Sequence, residues 1–363
     1  MLSVPIAIDA RRLQERPLGG VGRWLAGLLP HLAAAAEIVL LTDGRQRPAA
    51  FVGPSGRPLA ESPLWVPARA PEVAWVQLSA ARWLRGFPGV FHGTFNQLPA
   101  LCRVPAVVTI HDLATRQHPE DFGTNLLKRL VWNAQFRQAI TQAAMVQTDS
   151  SYIRRTVIDL YHVDPARVVV APPSADPVFS PARCDRGREL AVRLGGTGPY
   201  IVAVGGAKRR GLPVAVEAWA QARRRGITED LIVVGSEQPP PRPGLLHAGR
   251  LADDEWADLL AGARALCYPT RYEGFGLPAF EAAASGVPVV CARIGPLPEI
   301  LGDAPEWCEQ PTVDQVAAAL ERLLSDPLRQ KQRREAGLAR VEAAPTWADS
   351  AGVLLDAYRQ AAR

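Results

Sequence analysis

The sequence predicts an α/β protein made of two doubly wound domains. Three observations carry that prediction. Short runs rich in valine and isoleucine alternate with stretches of helical periodicity, the mark of βαβ units. The runs are apolar throughout rather than alternating, as strands covered on both faces require. They also fall into two series, separated by a segment rich in proline, glycine and arginine at residues 172–199.

In the first series the strands are "PIAID" (5–9), "EIVLL" (37–41), "GVFHG" (89–93), "AVVTI" (106–110), "AMVQT" (144–148) and "RVVVA" (167–171). Helical stretches at 22–35, 123–142 and 150–160 separate them. The proposed division is a first domain over 1–175, a linker over 176–197 and a second domain over 198–345. The second series runs "YIVAVGG" (200–206), "DLIVVGS" (230–236), "LLHAGR" (245–250), "RALCYP" (264–269), "PVVCAR" (288–293) and "EWCEQ" (306–310). Its helices fit 212–224, 253–263, 277–285 and 312–325, and residues 328–363 read as two helices broken at "APTW". A chain of 363 residues is long for a single core, which agrees with this division. In doubly wound sheets ligands bind beyond the carboxyl ends of the strands, so a cleft between two such domains is the expected active site.

Composition narrows the function classes. With 48% hydrophobic and 21% charged residues the chain is globular rather than disordered. The net charge is +5, and with only three lysines nearly all positive charge is arginine. That excess reads either as codon bias in a GC-rich genome or as affinity for phosphorylated ligands or an anionic membrane surface. No basic stripe interleaves with aromatics, which argues against nucleic acid as a partner. The five cysteines are widely spaced with no C-x-x-C, so neither a disulfide framework nor a zinc site is expected. The N-terminal stretch lacks a signal-like apolar core, and no apolar run approaches ~18 residues. The expectation is a soluble cytoplasmic protein, with peripheral membrane contact left open.

The most informative stretch is "RYEGFGLPAFEAAASGVPVV", residues 271–290. It is the turn after a buried strand, followed by a helix with Pro278 near its first position. The helix start offers free N–H groups from about Gly276 to Ala279 and a positive dipole end, a seat for an anion. Gly274 and Gly276 allow close backbone approach, with Phe275 between them and Leu277 opening the helix. Glu281 lies in the first turns, and helical side chains lean back toward the N-terminus, so its carboxylate faces the same pocket. Beside a diphosphate a carboxylate is repelled unless it accepts hydrogen bonds from neutral hydroxyls such as those of a ribose. Glu273, upstream in the turn, suits a second polyol. Two polyols flanking a diphosphate describe a nucleotide-sugar. The plainer reading, in which both glutamates only complement the helix dipole, leaves the glycine pair and the position of Glu273 unexplained.

On these residues "PTRYEGFGLPAFEAAASGVPVV" resembles the E-x7-E signature of retaining glycosyltransferases of family 4, with the GT-B fold of two facing Rossmann-like domains. The resemblance extends over essentially the whole chain through "IDARRL", "GGVGRW", "HGTF", "TIHDLA", "YIVAVGGAKRR" and "GPLPEILGDA". It implies that Glu273 contacts donor-sugar hydroxyls, that Glu281 contacts the nucleotide ribose, and that the final helix, 346–363, returns to the first domain. It also implies that nucleotide-diphosphate-sugar is a substrate rather than a cofactor and that no metal is required.

The remaining motifs are read beside it. The loop "GGVGRW" departs from the dinucleotide G-x-G-x-x-G spacing. By resemblance Gly20 and Gly22 face donor phosphate or acceptor; otherwise they form an ordinary strand–helix turn. His111 ends a buried strand and, by resemblance, lies near the reacting sugar, while Asp112 either holds its imidazole or caps the next turn. His92 is a weaker candidate, with Thr94 and Asn96 as acceptor-side contacts. In "VGGAKRRGLP", Gly206 stands where the family usually has an arginine, leaving Lys208, Arg209 and Arg210 to bind diphosphate. "LADDEWADLL" reads as a helix start capped by Asp253, not a metal-binding pair. Glu299 supports either the donor pocket or a helix start.

The expected activity is sugar transfer, with retention, from a nucleotide-diphosphate-sugar to an acceptor hydroxyl. A GDP-mannose-like donor is favoured over UDP- or dTDP-sugars, and the acceptor is a glycan, a lipid-linked sugar or a small molecule. Polysaccharide or glycoconjugate assembly is the commonest setting, and secondary-metabolite glycosylation competes with it. An epimerase or hydrolase would turn over donor without acceptor, and a non-catalytic sensor would bind donor without turnover.

Overall fold

The computed structural model describes residues 4–15, 17–44, 59–64, 72–122 and 126–363, which group into two compact units. The first comprises Met1–Ser174 and Pro345–Arg363, the second Ala175–Ala344. Its strands, in chain order, are β1 (Ile6–Asp9), β2 (Ile38–Thr42), β3 (Ala60–Pro63), β4 (Val90–Gly93), β5 (Ala106–Ile110), β6 (Met145–Thr148) and β7 (Val168–Val170). They form one seven-stranded sheet, ordered β3-β2-β1-β4-β5-β6-β7, with every pairing parallel. The order reverses between β1 and β4, so the crevice beyond those two strands is the place for a ligand.

The second unit contributes β8 (Tyr200–Val204), β9 (Asp230–Val234), β10 (Leu245–Gly249), β11 (Leu266–Tyr268), β12 (Val289–Ala292) and β13 (Glu306–Cys308). These form a parallel sheet ordered β10-β9-β8-β11-β12-β13, reversing between β8 and β11. The helices Leu212–Arg224, Asp253–Ala261, Leu277–Ala284 and Val313–Leu324 match the four stretches predicted for this region. Cys267 and Cys291 are buried in neighbouring strands, as their apolar runs predict, and all five cysteines are free.

The sheet of the first unit is covered by the Gly20–Ala35 helix, whose Leu25, Leu28, Leu29 and Leu32 are fully buried. Each such leucine contributes roughly 1.5–3 kcal/mol of burial. The Trp347–Ala361 helix joins the same core through Leu354, Leu355 and Tyr358. Gly27 permits this approach: a Cβ there would lie 2.4 Å from the Trp347 ring. Ser350 Oγ donates to the Pro172 carbonyl at 2.6 Å, fixing the helix to the end of the first segment.

Two expectations change, and one strand was not expected. The segment read as a linker, 176–197, carries the Cys184–Arg193 helix and belongs to the second unit. Leu190 and Ala191 are buried there, and Arg183 pairs with Asp258 and Asp254 at 2.5 and 2.9 Å. Gly187 lies against the Asp258 carbonyl, so part of the contact is made by bare backbone. The first helix begins at Gly20 rather than 22, and the helix expected at 123–142 is seen as Leu126–Gln142, with 123–125 outside the described residues. β3, with the sequence AESP, is an exposed edge strand without the β-branched run that marks the others.

Candidate active site

At the reversal point of the second sheet two loops are sewn together. The loop after β8 turns through Gly206 at φ 104° and Gly211 at φ 69°, conformations that favour glycine. Between them Lys208–Arg210 form a single 3-10 turn. The Arg209 carbonyl accepts from Arg271 N–H at 2.8 Å and from Thr270 Oγ1 at 3.1 Å, both in the loop after β11. A side chain at Gly211 would strike the Pro269 carbonyl at 2.3 Å. Lys208 is exposed, whereas Arg209 and Arg210 are half-buried. Arg210 Nη1 donates to the Gly205 carbonyl at 3.0 Å, and its Nε is buried with no hydrogen bond. Gly206, in place of an arginine, donates its N–H to Glu237 Oε2 at 3.3 Å.

The predicted glutamates are both buried and both held by partners that sequence reasoning missed. Tyr268, the last residue of β11, donates its hydroxyl to Glu273 Oε1 at 2.5 Å, and Thr270 Oγ1 lies 3.4 Å from the same oxygen. Burial and then the Glu273 charge drive the Tyr268 pKa far up, against the opposing fields of Arg210 and Arg209, so the phenol stays a donor. Trp256 Nε1 donates to Glu281 Oε2 at 2.8 Å. Trp256 is 6% exposed and Glu281 2%, so this is a charge-assisted bond in a dry setting. Burying a carboxylate is costly unless donors meet it, which is the physical need these two residues answer.

Gly276 caps the Leu277–Ala284 helix at φ 98°, where a Cβ would meet Leu297 at 2.5 Å. Leu277 is the first helical residue and Pro278 the second. The expected row of free N–H groups is shorter than the sequence implied. Ala279 N–H bonds back to the Gly276 carbonyl at 3.0 Å and Pro278 has none to give, which leaves those of Gly276 and Leu277. Gly274 lies within the turn, and Phe275 turns its ring inward, edge-on to Phe280 at 5.4 Å.

The carboxyl edge of the first sheet gathers a second polar group. His111, just past β5, has Nδ1 2.7 Å from Asp149 Oδ2 and Nε2 2.9 Å from the Thr94 carbonyl oxygen. Burial pulls its pKa down, but Asp149, the Thr94 carbonyl and Asp112 outweigh it and leave the value above that of an ordinary imidazole. Asp149, which follows β6, therefore holds the ring, while Asp112 Oδ1 accepts from Ala114 N–H at 3.0 Å and caps the turn. Asn96, at φ 55°, accepts the His111 N–H on its Oδ1 at 3.2 Å.

Two residues, the acceptor-side candidate Thr94 and the weaker catalytic candidate His92, turn inward instead. Thr94 is fully buried and spends its hydroxyl on the Asp9 carbonyl at 2.6 Å. His92 is also fully buried, with Nδ1 2.7 Å from the Tyr358 hydroxyl and Nε2 2.7 Å from Thr109 Oγ1. Burial, then the charge of His111, lower its pKa to about 3 against the pull of Asp9, so it is a neutral structural link. Gly20 is exposed at the helix start, but Gly22 is buried, where a Cβ would lie 2.6 Å from the Arg12 carbonyl. Its lack of a side chain serves packing. Trp24 from that helix packs in a T-shaped arrangement with both imidazoles, its ring centroid 4.8 Å from that of His111 and 6.0 Å from that of His92.

The acids of "LADDEW" sit in the first turn of the Asp253–Ala261 helix. The cap is Ala252 rather than Asp253, with Glu255 Oε2 accepting the Ala252 N–H at 3.1 Å. Glu299 occupies the first turn of the short helix Leu297–Leu301. Among the described residues, one acid-rich group brings ligand atoms within 4.8 Å of one another: His118, Glu120 and Asp121, on a partly exposed turn.

Comparisons with known proteins agree with this layout. Residues 192–340 match the model described as glycosyl transferases group 1, and residues 18–179 match glycosyltransferase family 4. The chain is 27% identical to O-antigen chain mannosyltransferase B of Escherichia coli, over 94% of this chain and 96% of that protein. It is 30% identical to a D-inositol 3-phosphate glycosyltransferase of Stackebrandtia nassauensis, over 90% and 73% of the two. The structure of a sucrose-phosphate synthase from Thermosynechococcus elongatus superposes with a TM-score of 0.76 at 18% identity, covering 98% of both chains. Paired parallel sheets, a loop seam at the reversal point and these relatives lead to one conclusion: the chain belongs to the group 1, family 4 glycosyltransferases of GT-B fold.

Proposed function

We propose that this glycosyltransferase moves a hexose, with retention, from a nucleotide-diphosphate-sugar to an acceptor hydroxyl in polysaccharide or glycoconjugate assembly. The observation that carries the reading is the seam at the β8–β11 reversal point. There the Lys208–Arg210 turn, the start of the Leu277–Ala284 helix and two fixed carboxylates lie on adjoining loops. Arg210, with a buried Nε awaiting an acceptor, binds diphosphate together with Arg209, Lys208 and the N–H groups of Gly276 and Leu277. These cationic and dipolar groups neutralise the leaving diphosphate electrostatically, so the chemistry needs no metal. Glu281, oriented by Trp256, takes the ribose hydroxyls, and Glu273, oriented by Tyr268, takes those of the sugar. His111 is the polar group at the anomeric centre, with Asn96 and Gly20 on the acceptor side. A mannosyl donor is favoured because the E. coli relative is named a mannosyltransferase.

A thermal-shift panel of GDP-, UDP-, ADP- and dTDP-sugars tests the donor site. Stabilisation by one class, lost in Glu281→Ala, supports the assignment; no response to any of them overturns it. Donor loss without an added acceptor would favour the hydrolase or epimerase reading instead.

A specific observation favours a lipid-linked acceptor. The Leu126–Gln142 helix exposes Leu126, Leu127, Leu130 and Val131 by 68, 69, 57 and 47%. Its first turns set these apolar side chains beside Lys128 and Arg129, and the helix carries no acid, a local patch suited to an anionic surface. No helix among the described residues is long and apolar enough to cross a membrane. Co-sedimentation with phosphatidylglycerol vesicles, but not phosphatidylcholine vesicles, and its loss in a Leu127→Glu/Leu130→Glu variant are the expected results. Equal recovery with and without vesicles would reject the surface.

A further inference from the structure

Four buried groups form a chain at the carboxyl edge of the first sheet. Gln147 Nε2 donates to the Ala171 carbonyl at 2.9 Å and to Asp149 Oδ1 at 3.2 Å. Asp149 Oδ2 meets His111 Nδ1 at 2.7 Å, and His111 Nε2 meets the Thr94 carbonyl at 2.9 Å. None of the four residues is more than 8% exposed.

The protonation of His111 follows from its partners. A carboxylate and a backbone carbonyl accept hydrogen bonds and cannot donate them, so both ring nitrogens must carry protons to make both contacts. The second oxygen of Asp149 already accepts from the Gln147 amide. His92 provides the contrast. Its two partners are hydroxyls, each able to donate or accept, and it needs only one ring proton.

The groups facing His111 agree with this state. Asp149 approaches from the end of β6 and Asp112 lies beside it at the end of β5, and both raise the His111 pKa. His92 on β4 is neutral, and Asp9 on β1 acts on His92. The Trp24 ring stands edge-on, its centroid 4.8 Å from that of the imidazole.

We infer that Asp149 is a positioning residue that holds His111 as a fixed imidazolium, so that His111 brings a permanent positive charge to the reaction and does not shuttle protons. The catalytic half of this rests on the transferase reading above, whereas the charge state stands on the geometry alone. A fixed cation facing the departing phosphate oxygen stabilises the negative charge that develops there without reorganisation.

Long-range ¹H–¹⁵N correlation spectra of the ¹⁵N-labelled full chain, with His111 assigned through His111→Gln, read the charge state directly. The expected wild-type result is a doubly protonated His111 across about pH 6 to 8, a range in which a free imidazole loses its proton. In Asp149→Asn the ring becomes neutral within that range. With the donor found by the panel, wild-type kcat/KM shows no histidine limb there. Asp149→Asn approaches wild-type at the acid end and falls roughly tenfold per pH unit above the lowered pKa. Asp149→Glu, which keeps the carboxylate, restores the wild-type profile.

A neutral His111 in the wild-type spectrum at neutral pH overturns the inference. So does an Asp149→Asn loss that is equal at every pH, which would mark a merely structural role. If Asp149→Asn does not fold, the wild-type spectrum and the Asp149→Glu profile decide. Absence of turnover with every donor would sink the transferase reading while leaving the spectroscopic result intact.

Discussion

Replacing His92 with glutamine converts a buried charge effect into a measurable pH dependence. His92 has no exposed surface, and its pKa falls from 6.5 to about 3 in the folded state. Because the folded value is depressed, the unfolded chain takes the proton first. The stability contributed by the neutral ring is therefore complete above about pH 6.5 and is lost as pH falls toward about 3. The gap is worth roughly 5 kcal/mol in total, at about 1.4 kcal/mol per pH unit. Glutamine can bond Tyr358 and Thr109 but does not titrate. At pH 7.5 the variant should be less stable by about 1–3 kcal/mol, for imperfectly replaced hydrogen bonds. By about pH 4.5 the wild type will have lost roughly 3 kcal/mol through His92 alone, so the two proteins converge or change order. Titration of other groups is common to both and drops out of the difference. Urea unfolding followed by tryptophan fluorescence at pH 7.5, 6 and 4.5 supplies the free-energy gaps, using the transition that His92→Gln displaces. A gap that stays constant over this range would refute the argument, since it would mean His92 is not held neutral by burial and by His111.

Three further outcomes are expected. Tyr268→Phe removes one hydroxyl from Glu273 and leaves the ring in place; kcat/KM for the donor should fall about 10- to 100-fold, matching the loss of a charged hydrogen bond of roughly 1.5–3 kcal/mol. Trp256→Phe frees Glu281 from its indole donor, and calorimetry should show donor Kd weaker by about tenfold, with a smaller change in kcat. Gly27→Ala sets a methyl against the rigid Trp347 ring, so it should cost about 1–3 kcal/mol and expose the Trp347–Ala361 helix to limited proteolysis.

Much of this was legible in the sequence because periodicity and strand ends are local. The strands of the second unit stand within a residue or two of their apolar runs, and the Leu212–Arg224 helix falls on its predicted bounds. The glycine turn and the two glutamates could be read for the same reason, being one continuous stretch. What escaped were pairings made across the fold. Trp256 lies 25 positions from Glu281 in the chain, and Asp149 lies 38 from His111. No spacing rule joins them. Asp149 left a trace, an acid directly after a strand at its carboxyl end, but its value depends on β6 lying beside β5. Thr94 and His92 misled in the opposite way: polar residues at a strand's carboxyl end suggest a ligand, yet both turn inward to satisfy the core. The Cys184–Arg193 helix was lost because the Pro-, Gly- and Arg-rich stretch around it outweighed its short apolar stripe at Leu190 and Ala191.

The Trp347–Ala361 helix gives the fold an order of completion. It is synthesised after all of Ala175–Ala344, yet the leucines of Gly20–Ala35 and the ring of His92 find their last partners on it. On the ribosome the second unit can close while the first still waits with an unfinished face. A chain stalled or clipped before Trp347 keeps its second unit intact but presents that bare apolar surface, which makes it a chaperone client rather than half an enzyme.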